Sequence, residues 1–149
     1  MGILVIRFSA LGDVAMTVSV IDAYAREHPD VSIIVLTRER FVPLFAWCSE
    51  NVTTIGVNLD EYKGLWGLYR LYHQITKSPN PQITNYTCVV DLHDVLRTKI
   101  LRTFFRFSGV KVNVVNKGRK EKQRLIGHGV DGKPVETMKD RYREAMYGI

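Results

Sequence analysis

The apolar residues of this chain come in short unbroken runs separated by segments of helical spacing, and that alternation limits the fold more than any other feature. Ile3-Leu4-Val5-Ile6 is apolar at every position, as in a parallel-sheet strand buried on both faces. Ser32–Thr37, Thr53–Val57, Cys88–Val90 and Val110–Val115 read as four further strands. Between them Val14, Val18, Ile21 and Ala25 recur at helical spacing, as do Leu65, Leu68, Tyr72 and Ile75 within a helix expected over Tyr62–Ile75. Phe41, Leu44, Phe45 and Cys48 fit a short helix. Leu96, Ile100, Phe104 and Phe107 form the expected core stripe of another, ended by Gly109, with Lys99, Arg102 and Arg106 grouped on a different face. Pro79 and Pro81 stop the helix before the fourth strand, and Val135–Tyr147 is a last helix with Met138, Tyr142 and Met146 inward. Strands alternating with helices predict a doubly wound, parallel α/β sheet.

At 149 residues the chain has room for one such domain and one core. No apolar run approaches the roughly 20 residues that span a bilayer. Arg7 interrupts the first run too early for a secretory signal, and no small-residue cleavage site follows. Cys48 and Cys88 read as two reduced packing cysteines, which fits a cytoplasmic protein. The net charge is +6, but it is localised: ten of the 21 basic residues and only one acid, Glu121, fall between Arg97 and Arg124. That points to an anionic partner docking in one place.

The first strand runs into Arg7-Phe8-Ser9-Ala10-Leu11-Gly12-Asp13-Val14, a tight loop opening a helix with Asp13 near its first turn. Open α/β sheets bind ligands there, outside the carboxyl ends of their strands. Gly12 permits close approach of a ligand, and the free N–H groups of a helix start favour an anion. Neither G-x-G-x-x-G nor G-K-S/T is present, which disfavours a dinucleotide-dependent dehydrogenase and a P-loop ATPase. A receiver-type signalling domain fails too, for want of a carboxylate pair after the first strand and an acceptor Asp after the third.

The string Arg-Phe-Ser-Ala-Leu-Gly-Asp-Val after an N-terminal strand resembles the opening of the bacterial lipopolysaccharide heptosyltransferases, glycosyltransferase family 9, with their Ser-x-Leu-Gly-Asp turn. Val-Val-Asp-Leu-His-Asp-Val-Leu-Arg-Thr at 89–98 resembles the Asp-Leu-x-x-x-x-Arg segment of that family. The resemblance implies a Rossmann-like domain, the N-terminal, acceptor-binding half of a two-domain GT-B enzyme, with the donor-binding domain outside these residues. It implies an inverting transfer of heptose from ADP-heptose to the lipid A–core acceptor in lipopolysaccharide biosynthesis. No cofactor or metal is implied, because ADP-heptose is a co-substrate held mainly by the other domain. The implied general base is Asp13, and the implied setting is cytoplasmic, with peripheral contact at the inner membrane.

Each candidate also has a plainer reading. Asp13 could simply complement the positive end of a helix. Ser9, Ala10, Leu11 and Gly12 would shape the cleft floor. Asp91, His93 and Asp94 follow the fourth strand; Asp91 and His93 are candidates for binding the sugar, His93 standing where the family often has a neutral amide. Asp-His-Asp also invites a metal reading, disfavoured because the side chains would point different ways. Arg97 could clamp a phosphate or acidic sugar, or pair with Asp91 or Asp94. Lys117, Arg119, Lys120, Lys122 and Arg124 are candidates for the anionic acceptor or for lipid head groups, against a solvated loop. Nucleic acid is disfavoured for that run, because no aromatics interleave it. Tyr62, Trp66, Tyr69 and Tyr72 read chiefly as core packing, with Trp66 or Tyr69 at a membrane surface or a sugar as the alternative. A different class remains open: a non-catalytic Rossmann-type module that docks an anionic polymer or membrane through the basic strip.

Overall fold

The computed structural model describes residues 1–84, 86–117 and 137–149, with residues 82 and 83 as backbone only. Five parallel strands form one sheet: β1 (Gly2–Ile6), β2 (Ser32–Arg38), β3 (Val52–Val57), β4 (Cys88–Asp91) and β5 (Lys111–Val114), in the order β3-β2-β1-β4-β5. The helices are α1 (Leu11–Glu27), α2 (Gly64–Thr76), α3 (Pro81–Thr84), α4 (Leu96–Phe107) and α5 (Met138–Tyr147).

Alternate residues of each strand feed two separate cores, which is why the strands are apolar throughout. Ile3, Val5, Ile33, Val35, Cys88 and Val90 pack with Val14, Ile21, Tyr24 and Ala25 of α1 and Tyr142, Ala145 and Met146 of α5. Leu4, Ile6, Ile34, Leu36 and Val89 face the other way, onto Leu71 and Ile75 of α2 and Leu101 and Phe105 of α4. Each fully buried side chain of this size stabilises the fold by about 1.5–3 kcal/mol. The Asn51 side-chain amide donates to the carbonyls of Ala25, His28 and Val31, so the end of α1 is fixed to the approach to β3. Thr137 and Asp140 bond each other's backbone N–H, a capping box that starts α5.

The doubly wound parallel sheet is as expected, and Gly109 (φ +82°) does terminate α4. Both cysteines are free. Several details differ. Residues Glu39–Phe45 form a 3-10 segment rather than a short helix reaching Cys48, with Pro43 inside it and Cys48 beyond it. Tyr62 lies in the turn before α2, and Leu65 is exposed rather than inward, because Leu68, Leu71 and Ile75 face the sheet. On α4 the expected stripe is off by one position: Thr98, Leu101 and Phe105 are buried, whereas Leu96 and Phe107 are exposed. Trp66, expected in the core, is also exposed. No described helix is long and apolar enough to cross a membrane.

Candidate functional site

Chain order and strand order diverge at one place. From β1 the chain moves outward to β2 and β3, then returns to lay β4 on the other side of β1. The loops leaving β1 and β4 therefore part at their carboxyl ends, which is where such sheets open a binding crevice. The β1 loop carries Arg7 to Ala10 into α1, and the β4 loop carries Leu92 to Val95 into α4.

Asp13 stands at the third position of α1, its side chain 40% exposed at this opening. Arg7 holds it from below: one guanidinium nitrogen lies 3.1 Å from the Asp13 carboxylate, and another donates to the Leu92 carbonyl at 2.7 Å. Arg7 is buried, and its guanidinium lies 5.7 Å from the ring centre of Tyr142. A single cation thus ties the β1 loop, the β4 loop and α5 around the carboxylate. Ala10 offers no side-chain cap to α1, so the exposed first turn, Leu11 and Gly12 included, presents uncapped N–H groups beside Asp13.

His93 faces the same space from the β4 loop. Its Nε2 is 3.5 Å from the Ser9 hydroxyl, and its ring packs edge-on against Phe8. Burial pushes its pKa down to about 4, helped by the Arg7 and Lys117 charges and opposed by Asp91 and Asp13, so the ring is neutral at pH 7. Burial likewise raises the Tyr142 phenol; Arg7 opposes that and Asp13 adds to it, although the hydroxyl closes no well-formed hydrogen bond. Five buried side-chain polar atoms among the described residues have no hydrogen-bond partner, and three belong to this cluster: Arg7 Nε, His93 Nδ1 and Tyr142 Oη. Buried polar groups in folded proteins are nearly always satisfied, so each of the three calls for a partner such as water or a ligand.

Asp91 requires a correction. It is fully buried and does not reach the opening. One carboxylate oxygen accepts from the N–H groups of His93 and Asp94, and the other accepts from Arg102 at 2.8 Å. Its work is to shape the loop that carries His93. Arg102 also bonds Asp94 at 2.9 Å and, against the upward push of burial, holds that carboxyl below its usual range. Arg102 therefore turns inward instead of grouping with Lys99 and Arg106, and it takes the partners that Arg97 was expected to find. Arg97 itself sits in the first turn of α4, half-buried, with no ion pair among the described residues. The Lys117 ammonium donates to the Asp94 carbonyl at 3.0 Å, so β5 delivers one cation to the rim. Arg119, Lys120, Lys122 and Arg124 lie outside the described residues. With both aspartates engaged by Arg102, no metal-holding group of His, Cys, Asp and Glu forms among the described residues.

Sequence reasoning missed Arg7 and Tyr142 as members of this site. For Arg7 there was a signal: a charge directly after a strand buried on both faces must emerge at its carboxyl end. Arg141 is buried and donates to the Asn116 carbonyl, and Tyr142 arrives on the same helix from far along the chain. No local pattern links that helix to the first loop.

No family model and no curated protein matches the chain. Solved structures do. It is similar to the E. coli heptosyltransferase WaaC with ADP, at TM-score 0.65 and 16% identity over 99% of this chain and 47% of that one. The same enzyme with ADP-2-deoxy-2-fluoro heptose aligns at TM-score 0.65 and 15% identity, over 99% and 48% of the two chains. A glycosyl transferase family 9 protein from Veillonella parvula aligns at TM-score 0.66 and 17% identity, over 99% and 41%. The chain therefore has the α/β fold found in these glycosyltransferases and spans about half the length of each.

Proposed function

We propose that the chain is the acceptor-binding half of an inverting glycosyltransferase that moves heptose from ADP-heptose to a sugar hydroxyl of a lipid A–core acceptor, at the cytoplasmic face of the membrane. The observation that carries this reading is Asp13: a half-exposed carboxylate, oriented by a buried arginine, at the switch point of the sheet. The same fold occurs in a heptosyltransferase solved with ADP. In the reaction the acceptor oxygen attacks the anomeric carbon of the heptose from the face opposite the nucleotide. The proton of that hydroxyl passes to the Asp13 carboxylate, the bond from the anomeric carbon to the diphosphate oxygen breaks, and ADP leaves with the electron pair. Arg7 keeps the carboxylate aimed, and neutral His93 is suited to hydrogen-bonding a sugar hydroxyl without repelling nearby cations. Lys117, Arg97 and the run containing Arg119, Lys120, Lys122 and Arg124 supply positive charge for the phosphates and acidic sugars of the acceptor. The donor nucleotide is held mainly by a second domain.

The test is heptose transfer, followed by the mass of the acceptor, in a protein carrying both this chain and a donor-binding half. Asp13→Asn should lower turnover by about 10²–10⁴-fold, the usual contribution of a general base, while acceptor binding stays within experimental error. Unchanged turnover in Asp13→Asn removes the base from the mechanism.

A further inference from the structure

The two helical layers differ in charge. On one side, α1 and α5 mix acids (Asp13, Asp22, Glu27, Asp140, Glu144) with bases. On the other, α2 and α4 contain no aspartate or glutamate. Exposed cations surround that second layer: Lys63, Arg70, Lys77, Lys99 and Arg106. The nearest acids in sequence lie just before the helices, at Asp60 and Glu61 and at Asp94, which is bonded to Arg102. The same layer also carries exposed apolar side chains. Of ten large hydrophobic side chains exposed among the described residues, five are on these two helices: Leu65, Trp66, Tyr69, Leu96 and Phe107. Trp66 is 72% exposed and Phe107 87%, and neither contributes to the core beneath, which Leu71, Ile75, Leu101 and Phe105 supply. Trp66 stacks on Tyr69 at 5.8 Å, and Tyr69 meets Phe104 of the neighbouring helix at 5.6 Å. An open groove of about 720 Å³ runs beside them, lined by Trp66, Tyr69, Arg70, His73 and Lys77 among others, and by no acid.

We propose that this α2–α4 face docks on the surface of an anionic phospholipid bilayer, with Trp66 and Phe107 entering the headgroup layer and Arg70, Lys77, Lys99 and Arg106 pairing with lipid phosphates. Amphipathic aromatic rings settle at the membrane–water boundary, and basic residues beside them are drawn to anionic head groups. A second copy of the chain is a poor occupant, since two such faces would set like charges against each other. The proposal rests on the membrane setting of the function proposed above and gives it a surface, using none of the switch-point residues.

The experiment mixes the chain with phosphatidylcholine vesicles, with and without phosphatidylglycerol. Binding is read by co-sedimentation, and burial of Trp66 by its emission in a Trp47→Phe background, which leaves it the sole tryptophan. Expected are binding only to the phosphatidylglycerol vesicles, weakening with salt, and a blue shift of Trp66. Arg106→Glu and Lys77→Glu should each weaken binding at least about fivefold, as follows from roughly 1 kcal/mol per basic residue near such a surface. Trp66→Ala with Phe107→Ala should weaken it further while leaving the thermal melt unchanged, and Lys139→Glu on the opposite layer should have no effect. Absence of vesicle binding, binding indifferent to the Trp66 and Phe107 changes, or self-association that Trp66→Ala abolishes would each overturn the proposal.

Discussion

His93 is uncharged at neutral pH because its ring is buried between two cations, and this has a measurable consequence. In the unfolded chain the ring titrates near its ordinary value of 6.5, and in the folded chain near 4. The folded form therefore binds fewer protons in that range, and stability rises with pH. The contribution is complete above about 6.5 and is lost as the pH falls toward 4. Urea midpoints across this window should rise with pH in the wild type and rise less steeply in His93→Gln; equal slopes would exclude His93 as the titrating group. At this scale the sequence was readable in the loops after β1 and β4 and in the first turn of α1: Ser9, His93 and Asp13 all come to the opening. Asp91 was misread because a carboxylate at a strand end can turn either way. Two loop N–H groups and Arg102 draw it inward, and those partners are set by the tertiary fold.

Two glycines show how packing ranks against propensity within an element. Gly67 and Gly12 are both helical, and replacement by alanine favours a helix by up to about 1 kcal/mol. A Cβ on Gly67 would lie 2.4 Å from the Tyr62 carbonyl carbon and 2.8 Å from its Cα, backbone atoms that cannot rotate away. Gly67→Ala should therefore lower stability by about 1–3 kcal/mol, as overpacking does. A Cβ on Gly12 meets nothing within 4 Å, so Gly12→Ala should hold or raise stability by about 0.4–1 kcal/mol. Urea denaturation of the two variants decides the matter, and the reverse order would contradict the packing of Tyr62 on α2. Because the fold makes no demand for glycine at position 12, any loss of acceptor binding in Gly12→Ala would trace to the opening itself. The order and kind of elements were legible in the sequence, but helix facing was not. On α4 the apolar positions 100, 101, 104, 105 and 107 offer two stripes one residue apart. Contact with the sheet and α2 selects Leu101 and Phe105, leaving Phe107 outside.

At the scale of the whole molecule, the switch point places every described member of the site on one edge of the sheet, formed by the β1 loop, the β4 loop, the segment after β5, and α5. Alternation of strand and helix was enough to foresee a crevice there. It could not reveal that Tyr142 would complete it, because α5 reaches the site through its packing on α1, β4 and β5, all distant from it in the chain. Among the described residues the crevice supplies the Asp13 carboxylate, the neutral His93 imidazole and the cations Arg7 and Lys117. The Ser9–Gly12 loop lacks the glycine pattern that cradles a pyrophosphate. The matched structures are about twice as long as this chain, which leaves room for a separate donor site. On the proposed function, these 149 residues alone should bind a lipid A–core acceptor with an affinity that falls as salt is raised, since surface charge pairs are screened within about 10 Å at 0.1 M. They should bind ADP-heptose weakly and transfer no measurable heptose. Calorimetric titration with each compound, beside a transfer assay on the same preparation, separates the two halves of this prediction. Heptose transfer by the isolated chain would place the donor site within it, and tight ADP-heptose binding without acceptor binding would reverse the assignment of the crevice.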